Sequence, residues 1–284
     1  MPLVKVNELL HHATENGYGV AAVNVFNYET IKWVAEAANR ERIPVIIQFY
    51  PGFDKYIALK HVAAIAKDFA EKSSVPIGVH LDHSAGYEIA VSGVRDGFPS
   101  VMVDGSALPY EENMALTAAV VKTAAVFGVD VEAELGHVGS GANLDDIVNS
   151  DHYTDVKQAV EFVKCTGCGS LAVAVGNAHG AYVQTPNLDF DRIASLRSAL
   201  PIPLVLHGGS DIPPEQLQES VRLGMSKFNI ATEYFRACYH GVVQHGDPAE
   251  KNGDMFRLMM ETSENAIDFV RGKMRLLNPN KFTF

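Results

Sequence analysis

Two histidines and an aspartate stand within four consecutive residues, His80-Leu81-Asp82-His83, at the end of the apolar run 75–81. Every buried polar group needs a partner, so packing alone is a poor reason to place these side chains there. A neutral ring nitrogen of His83 can hold a metal ion, and Asp82 beside it can move a proton. Taken alone, the stretch is equally compatible with core histidines whose partners lie elsewhere.

Similar polar groups follow most of the other apolar runs. They are Asn24, Asp82 with His83, Asp104, Glu132 with Glu134, Asn177 with His179, His207 to Ser210, and Asn229 to Thr232. Each has an ordinary explanation, such as a helix cap or a surface ion pair. Random placement would scatter these residues over helices and both ends of the strands, so together they predict one shared site.

Three histidines, His83, His179 and His207, stand at the ends of three different runs. Neutral imidazoles in such a set suit Zn²⁺, with a fourth position left for water or a substrate oxygen. Glu134 is a candidate further ligand, or a support for an imidazole. His80 fits the supporting role better than the role of ligand, and His137 is expected to be exposed to solvent.

Glycines next to two of these histidines suggest an anion site. Gly208-Gly209-Ser210 follows His207, Gly180 follows His179, and Asn229-Ile230-Ala231-Thr232 follows the last run. Backbone N–H groups in glycine turns and at helix N-termini bind phosphate, often after the seventh and eighth strands of a barrel. In isolation, an ordinary turn is the simpler explanation of Gly208-Gly209-Ser210.

These residues need elements that bring the ends of the runs together. The apolar runs are 20–25, 43–49, 76–81, 100–103, 129–135, 170–175, 202–206 and 227–230, separated by stretches with apolar residues at helical spacing. Eight such strands, each followed by a helix, predict a parallel sheet closed into a (β/α)8 TIM barrel, one α/β domain over 1–284. A doubly wound open sheet is the alternative fold.

Two segments depart from this alternation. The stretch 136–146 is rich in glycine and continues to about Tyr153 before the next helix; ordered loops of that length are usually functional, so we expect a lid. Residues 254–275 predict one or two extra C-terminal helices against the barrel or a neighbouring subunit. Arg271 and Arg275 in that segment are candidate anion ligands.

Composition excludes some classes of function. With 23 basic and 34 acidic residues the net charge is -11, which argues against unspecific binding to nucleic acid or anionic membrane. No apolar stretch approaches the roughly 20 residues of a membrane span, and residues 1–5 lead into a helical pattern without the apolar core of a signal peptide. We therefore expect a cytoplasmic protein that binds neither nucleic acid nor membrane.

The three cysteines do not suggest a disulfide framework. Cys165 and Cys168 have the C-x-x-C spacing of redox and zinc sites, but no second pair exists. A helix that ends at Gly167 is the simpler interpretation.

Six motifs carry a resemblance to a known family. They are His80-Leu81-Asp82-His83, Val103-Asp104-Gly105-Ser106, Glu132-Ala133-Glu134-Leu135-Gly136, Gly176-Asn177-Ala178-His179-Gly180-Ala181-Tyr182, Leu206-His207-Gly208-Gly209-Ser210 and Asn229-Ile230-Ala231-Thr232-Glu233. In order and spacing, over almost the whole chain, they resemble the class II fructose- and tagatose-bisphosphate aldolases. The version Ala231-Thr232-Glu233 is closer to the tagatose-bisphosphate branch.

The resemblance implies Zn²⁺ on His83, His179 and His207, with Glu134 as an alternative or inner-site ligand and Asp104 near it. In such enzymes the metal polarises the ketone of a dihydroxyacetone phosphate unit, and the resemblance gives Asp82 and Asn229 the catalytic roles. Asp82 would exchange a proton with the hydroxyl that becomes the aldehyde, and Asn229 would hold the enediolate.

The resemblance also implies a phosphate site. Its expected members are Gly180, Gly208, Ser210 and Thr232, and we add Asn24 and Gly209 to the residues expected to contact substrate. A monovalent cation, Na⁺ or K⁺, often lies nearby in the family. The expected partner is a phosphorylated sugar, and the expected assembly is a homodimer or homotetramer.

Three positions depart from the family pattern. The lid has no glutamate to take the carbon-bound proton, and Ala142 stands at the expected place, so Asp145 and Asp146 are candidate catalytic substitutes. A lysine is expected at Val183 or Gln184, and Tyr50 stands where relatives carry a small hydroxyl residue. These changes predict a zinc aldolase with an altered substrate that carries one phosphate or another terminal anion.

Two other functions stay open from the sequence. A metal-dependent barrel hydrolase would use the same histidines to activate water. A catalytically weakened aldolase-like subunit that binds or stabilises a partner is favoured by the missing lid glutamate. Metal content separates the enzymes from a subunit that has lost its zinc, and proton exchange at carbon separates the aldolase from the hydrolase.

Overall fold

The eight apolar runs form eight parallel strands that close into a barrel in sequence order. The computed structural model describes residues 3–246 and 253–284. The closure is seen at the first strand, because it pairs in parallel with both the second and the eighth. The TIM barrel prediction is therefore confirmed, and the open doubly wound sheet is wrong.

The strands lie close to their predicted positions. They are β1 (Val20–Asn24), β2 (Val45–Phe49), β3 (Ile77–Ser84), β4 (Ser100–Val103), β5 (Asp130–Leu135), β6 (Ser170–Val173), β7 (Leu204–Leu206) and β8 (Met225–Ile230). The main difference is β3, which continues three residues past its apolar run through Asp82 and His83.

Helices cover the outside of the barrel. In the described residues they are α1 (Val6–Asn16), α2 (Tyr28–Glu41), α3 (Leu59–Lys72), α4 (Tyr87–Arg95), α5 (Tyr110–Val126), α6 (Leu144–Val148), α7 (Val156–Thr166), α8 (Phe190–Ala199), α9 (Pro214–Arg222), α10 (Thr232–His245) and α11 (Met255–Leu276). No helix in these ranges is both long and apolar enough to cross a lipid bilayer.

The helix α1 comes before the first strand and lies at the N-terminal end of the barrel. Its buried residues Val6, Leu9 and Leu10 form a separate cluster with Val20 and Ile46 of the first two strands. This cluster closes the end of the barrel opposite to the polar strand termini. The polar strand ends lie at the opposite, C-terminal end, where barrels of this class carry their sites.

The end of the chain forms one long helix after α10. The helix α11 packs on α10 and α2, so the predicted extra C-terminal helix lies on this chain's own barrel. The prediction that Arg271 and Arg275 serve as anion ligands is not supported, because both guanidinium groups already bind the carboxylate of Glu41, at 2.5–2.7 Å.

The C-x-x-C pair has the simpler explanation. The helix α7 ends at Thr166, and Gly167 follows in the left-handed conformation, with φ of 72°. Cys165 is exposed and Cys168 is buried, and neither forms a disulfide.

Candidate active site

Three imidazoles meet at the C-terminal end of the barrel. His83 comes from the end of β3, His179 from the loop after β6 and His207 from the residue after β7. Nδ1 of His207 lies 2.8 Å from Nε2 of His83 and 3.4 Å from Nε2 of His179. The structure thus brings together the three histidines that the sequence selected.

The other nitrogen of each ring faces an oxygen acceptor. Nδ1 of His83 lies 2.9 Å from Asp104 Oδ2, Nδ1 of His179 lies 3.0 Å from the carbonyl oxygen of Val138, and Nε2 of His207 lies 2.9 Å from Glu132 Oε1. If the nitrogens that face the oxygen acceptors carry the ring protons, the other three nitrogens, which converge, present only lone pairs to one another. Such an arrangement is typical of metal sites, where an outer acceptor fixes the tautomer of each ligand.

The electrostatics of the three rings differ. Burial and the neighbouring His83 lower the pKa of His179 to about 4, and burial with nearby positive groups keeps the pKa of His207 well below its usual range. Burial also opposes a charge on His83, but the carboxylates around it outweigh that effect and raise its pKa to about 9. The cluster therefore favours one positive charge, which a proton or a cation can supply.

A backbone feature aims His83 at the others. The pairing of β3 with β4 shifts register between Leu81 and Ser84, and His83 lies in the left-handed region with φ of 43°. Non-glycine residues in this region are strained, and such strain concentrates at functional sites.

Two acidic groups adjoin the histidines. Asp104 accepts from the backbone N–H and hydroxyl of Ser106 while its other oxygen faces His83. Glu134 is buried, and burial with the neighbouring Asp104 raises its pKa to about 8. Its Oε2 has no hydrogen-bond partner in the described part of the chain and lies 3.8 Å from Nδ1 of His207. His83, Asp104 and Glu134 form a second set whose ligand atoms lie within 4.8 Å of one another.

Asp82 is buried between three amides. Its Oδ2 accepts from Asn24 at 2.9 Å and from Gln48 at 3.4 Å, and its Oδ1 accepts from Asn229 at 3.1 Å. Burial opposes ionisation, but the nearby histidines and Lys227 outweigh it and lower the pKa of Asp82. The geometry therefore holds a charged carboxylate in a fixed direction.

A cavity of about 420 Å³ opens above these groups. It is lined by Asn24, Tyr50, Phe53, Asp82, His83, Ala85, Asp104, Val138, His179, Gly180, Gly208, Ser210, Asn229, Ala231, Thr232 and Phe235. Every predicted substrate contact except Gly209 is in this lining. Gly209 lies just behind it, where its backbone N–H donates to the carbonyl of Asn229 at 3.0 Å.

One side of the cavity suits an anion. The 14-residue helix α10 begins there at Thr232; its N-cap residue Ala231 has no capping side chain, and the hydroxyl of Ser210 accepts from the backbone N–H of Glu233 at 3.4 Å. Gly208 has φ of 61° and packs so tightly that a Cβ would collide with the carbonyl of Ala178, whereas a Cβ on Gly180 would meet only open space. Backbone N–H groups and a helix N-terminus favour phosphate at such a place.

A buried charge layer lies below the site, and its lysine was not among the predicted site residues. Nζ of Lys227 lies 2.9–3.0 Å from both oxygens of Glu132, and His80 lies 3.8 Å from the same carboxylate. Both charged residues are at most 1% exposed. A signal was present, because Lys227 precedes Asn229 by two residues as Glu132 precedes Glu134, and alternate strand residues face the same side.

The lid aspartates lie away from the cavity. Asp145 is largely exposed, with 65% of its side chain accessible. Asp146 accepts from the backbone N–H of Ser140 at 2.7 Å and faces His137 and His152. The structure therefore does not bring either candidate base to the site. His137 is exposed, as expected.

The other departures from the expected pattern also fall at the rim. Tyr50 stands at the cavity mouth with its ring 6.5 Å from that of His83, edge to face. Val183 and Gln184 are exposed, and Tyr182 instead bridges the loops by donating to the carbonyl of Gly208 and accepting from the N–H of Ala178.

Barrel and site together define a class of protein, a (β/α)8 barrel whose histidines meet at the C-terminal end of the strands. The chain belongs to the class-II fructose-bisphosphate aldolase family, whose model matches residues 4–281. The family resemblance read from the motifs is confirmed.

Solved structures of aldolases are similar over nearly the whole chain. The YdjI aldolase from Escherichia coli K12 is 35% identical, with 97% of each chain covered and a TM-score of 0.87. A putative fructose-1,6-bisphosphate aldolase from Coccidioides immitis is 29% identical, with 96% of each chain covered and a TM-score of 0.85. A fructose-bisphosphate aldolase from Campylobacter jejuni shares the fold at 24% identity, with a TM-score of 0.82 over 97% of this chain and 95% of that one.

Proposed function

We propose that the protein is a zinc-dependent ketose-phosphate aldolase that reversibly cleaves its substrate to dihydroxyacetone phosphate and an aldehyde. The observation that carries the proposal is the convergence of three imidazole nitrogens beside a charged, amide-held Asp82 and an open anion site. Family membership supports the lyase reaction.

The residues present fit a divalent metal. Each imidazole has an outer acceptor, and Glu134 adds a buried oxygen with no partner among the described residues. His83, His179 and His207 would hold Zn²⁺, with Glu134 and Asp104 as the candidates for an inner position. A metal so held supplies Lewis-acid polarisation of a carbonyl oxygen.

Asp82 accounts for one of the two proton transfers of cleavage. Asp82 takes the proton of the hydroxyl that becomes the aldehyde, while the carbon–carbon bond breaks and its electron pair stays on the three-carbon fragment. The amides of Asn24 and Asn229 hold the carboxylate in place for this transfer. The three-carbon fragment then takes a proton at carbon; the two candidate donors predicted from the sequence, Asp145 and Asp146, both lie outside the cavity in this conformation.

The anion site orients the donor. Backbone around Gly180, Gly208 and Ser210, with the first turn of α10 at Thr232, would bind the phosphate of dihydroxyacetone phosphate. A Na⁺ or K⁺ ion near this phosphate is part of the proposal. Ala231, which precedes α10, supports the tagatose-bisphosphate branch. A cytoplasmic location and a homodimeric or homotetrameric assembly are also part of the proposal.

The far end of the substrate differs from that of the common bisphosphates. In the described part of the chain no lysine or arginine lines the cavity, and the one arginine of the adjoining recess, Arg95, is paired with Asp96 at 2.8 Å. Tyr50 narrows the same side. We infer a substrate with a single phosphate, or with a smaller terminal anion than a second phosphate.

A condensation panel tests this proposal. Zinc-loaded protein is mixed with dihydroxyacetone phosphate and a series of aldehydes that are neutral, carboxylated or phosphorylated, and consumption of the donor is measured. We expect turnover with a non-phosphorylated aldehyde. Cleavage of fructose or tagatose 1,6-bisphosphate at ordinary rates of about 1 to 10³ s⁻¹ would contradict the altered substrate, while leaving the aldolase assignment intact.

A metal-dependent hydrolase is the second candidate, supported by the same three histidines. It explains neither the anion site nor the amide-held Asp82. Release of inorganic phosphate without consumption of the aldehyde would favour it.

A further inference from the structure

A second cluster of metal-binding side chains lies in the lid, outside the barrel site. The loop after β5 folds back through α6 and a short 3₁₀ turn, Ser150–His152. This path brings His137, Asp146 and His152 together, with their ligand atoms within 4.8 Å of one another. None of them is shared with the barrel histidines.

The candidate ligand atoms of these three side chains face one another. Asp146 uses Oδ2 to accept the N–H of Ser140, and its Oδ1 lies 3.5 Å from Nε2 of His137 and 4.0 Å from Nδ1 of His152. Nδ1 of His152 is itself buried without a hydrogen-bond partner in the described residues. A buried nitrogen left without a partner costs free energy, and a cation at this point would supply one.

The spacing suits a tetrahedral ion. With ligand distances of about 2.0–2.1 Å, the ligand atoms of tetrahedral Zn²⁺ stand roughly 3.3 Å apart. The separations from Asp146 are 3.5 and 4.0 Å and the whole set lies within 4.8 Å, so side-chain rotations can bring the three ligand atoms to that value. Two imidazoles and one carboxylate are a donor set that Zn²⁺ and similar divalent transition metals accept, with water in the remaining position.

We propose that His137, Asp146 and His152 bind a second divalent transition metal ion of the Zn²⁺ class, which ties the two ends of the lid together. The backbone N–H of His137 already donates to the carbonyl of His152 at 2.9 Å, so the two ends are adjacent. The ion adds a cross-link through the side chains of residues that are 15 positions apart in sequence.

A lid held by this ion would affect the barrel site indirectly. The N–H of Gly141 donates to the carbonyl of His179 at 2.7 Å, and the N–H of Val183 donates to the carbonyl of Gly141 at 2.9 Å. The lid therefore rests on the loop that carries a barrel histidine. His137, Asp146 and His152 are positioning residues in this account, because none of them lines the cavity.

Metal counting tests the proposal. Tag-free protein is stripped with a chelator, reloaded with Zn²⁺, desalted and analysed for metal per chain. We expect two equivalents in the wild type and one in His152→Ala and Asp146→Asn. Asp146→Asn preserves side-chain volume, so a folding defect in the alanine variant does not decide the result. His11→Ala, which removes an exposed histidine of α1, is the matched control and should keep two.

Hydrogen exchange locates the second ion. Addition of Zn²⁺ should slow amide exchange over 136–153 in the wild type and in His207→Ala, but not in Asp146→Asn. One equivalent in the wild type, two equivalents retained in both lid variants, or lid protection that disappears in His207→Ala would each overturn the proposal. The last result would mean that the barrel metal alone orders the lid, and the first would mean that His137, Asp146 and His152 bind no ion.

Discussion

Nε2 of His207 lies 2.9 Å from Oε1 of Glu132, while Nδ1 of the same ring faces the other two histidines of the site. Glu132 in turn holds the buried ammonium group of Lys227. One carboxylate thus sets the direction of the His207 ring and neutralises the charge beneath it. The proposed metal site therefore depends on residues one layer deeper in the barrel than the three histidines.

Removal of this carboxylate should affect metal binding and stability together. Glu132→Ala is expected to weaken Zn²⁺ binding about 10- to 100-fold, because the outer acceptor of His207 is lost. It should also destabilise the fold by roughly 3–5 kcal/mol, because Lys227 is left buried without a counter-charge. Chelator competition and denaturant unfolding measure the two effects.

The double variant Glu132→Gln/Lys227→Met separates those effects. It removes both charges and keeps an amide oxygen near His207, so stability should recover while metal affinity stays below that of the wild type. Equal stability of Glu132→Ala and the wild type would show that the buried pair does not stabilise the protein.

Asp82→Asn should abolish most turnover without loss of metal. Asn24, Gln48 and Asn229 surround this position, and the amide cannot take a proton, so kcat should fall about 10²- to 10⁴-fold. Metal content by elemental analysis should match the wild type. A variant that keeps more than a tenth of the wild-type kcat would remove Asp82 from the proposed proton transfer.

Gly208→Ala tests the anion site. The left-handed backbone at Gly208 costs a non-glycine residue about 1–2 kcal/mol, and the new Cβ would collide with the carbonyl of Ala178. We expect a lower melting temperature and weaker binding of inorganic phosphate by calorimetry. Gly272→Ala, in the interior of α11 with open space around it, is the control and should bind phosphate normally.

An ion pair between Glu41 and the arginines of α11 should stabilise the fold in a pH-dependent way. The hydrogen bond from Arg275, opposed by burial and helped by Arg271, lowers the pKa of Glu41 in the folded protein below the ordinary value of about 4.3. Its carboxylate therefore stabilises the fold above that pH, and the contribution is lost as the pH falls through the lower folded pKa. Glu41→Gln should cost about 1–2 kcal/mol at pH 7, from hydrogen bonds to a charged group.

Unfolding of the two proteins at a series of pH values checks this sign. The difference between wild type and Glu41→Gln should be constant from neutral pH down to about pH 5 and should shrink below it. A difference that grows on acidification would contradict the assigned role of Glu41.

The strands and the three clustered histidines could be predicted from the sequence because each leaves a local signal. Apolar runs bounded by polar residues identify strands, and closure into a parallel barrel brings their C-terminal ends to one place, which is why His83, His179 and His207 could be grouped before their positions were known. Asp82 and Asn229 were found in the same way.

Features that depend on three-dimensional packing could not be read in this way. The bulge that gives His83 its positive φ depends on the pairing of β3 with β4 and has no local signature. The direction of Asp146 is set by a backbone N–H six residues away, so its presence in the lid did not place it over the cavity. Arg271 and Arg275 were predicted as anion ligands because the sequence does not show that Glu41 of α2 lies beside them.

Solvent deuterium exchange into dihydroxyacetone phosphate tests the central claim most directly, because it reports the carbon-bound proton step without requiring the right aldehyde. The zinc-loaded protein should incorporate deuterium, Asp82→Ala should still do so, and His207→Ala should not. Absence of exchange from a zinc-replete wild type would contradict the assignment of dihydroxyacetone phosphate as donor and would favour a weakened, partner-binding subunit.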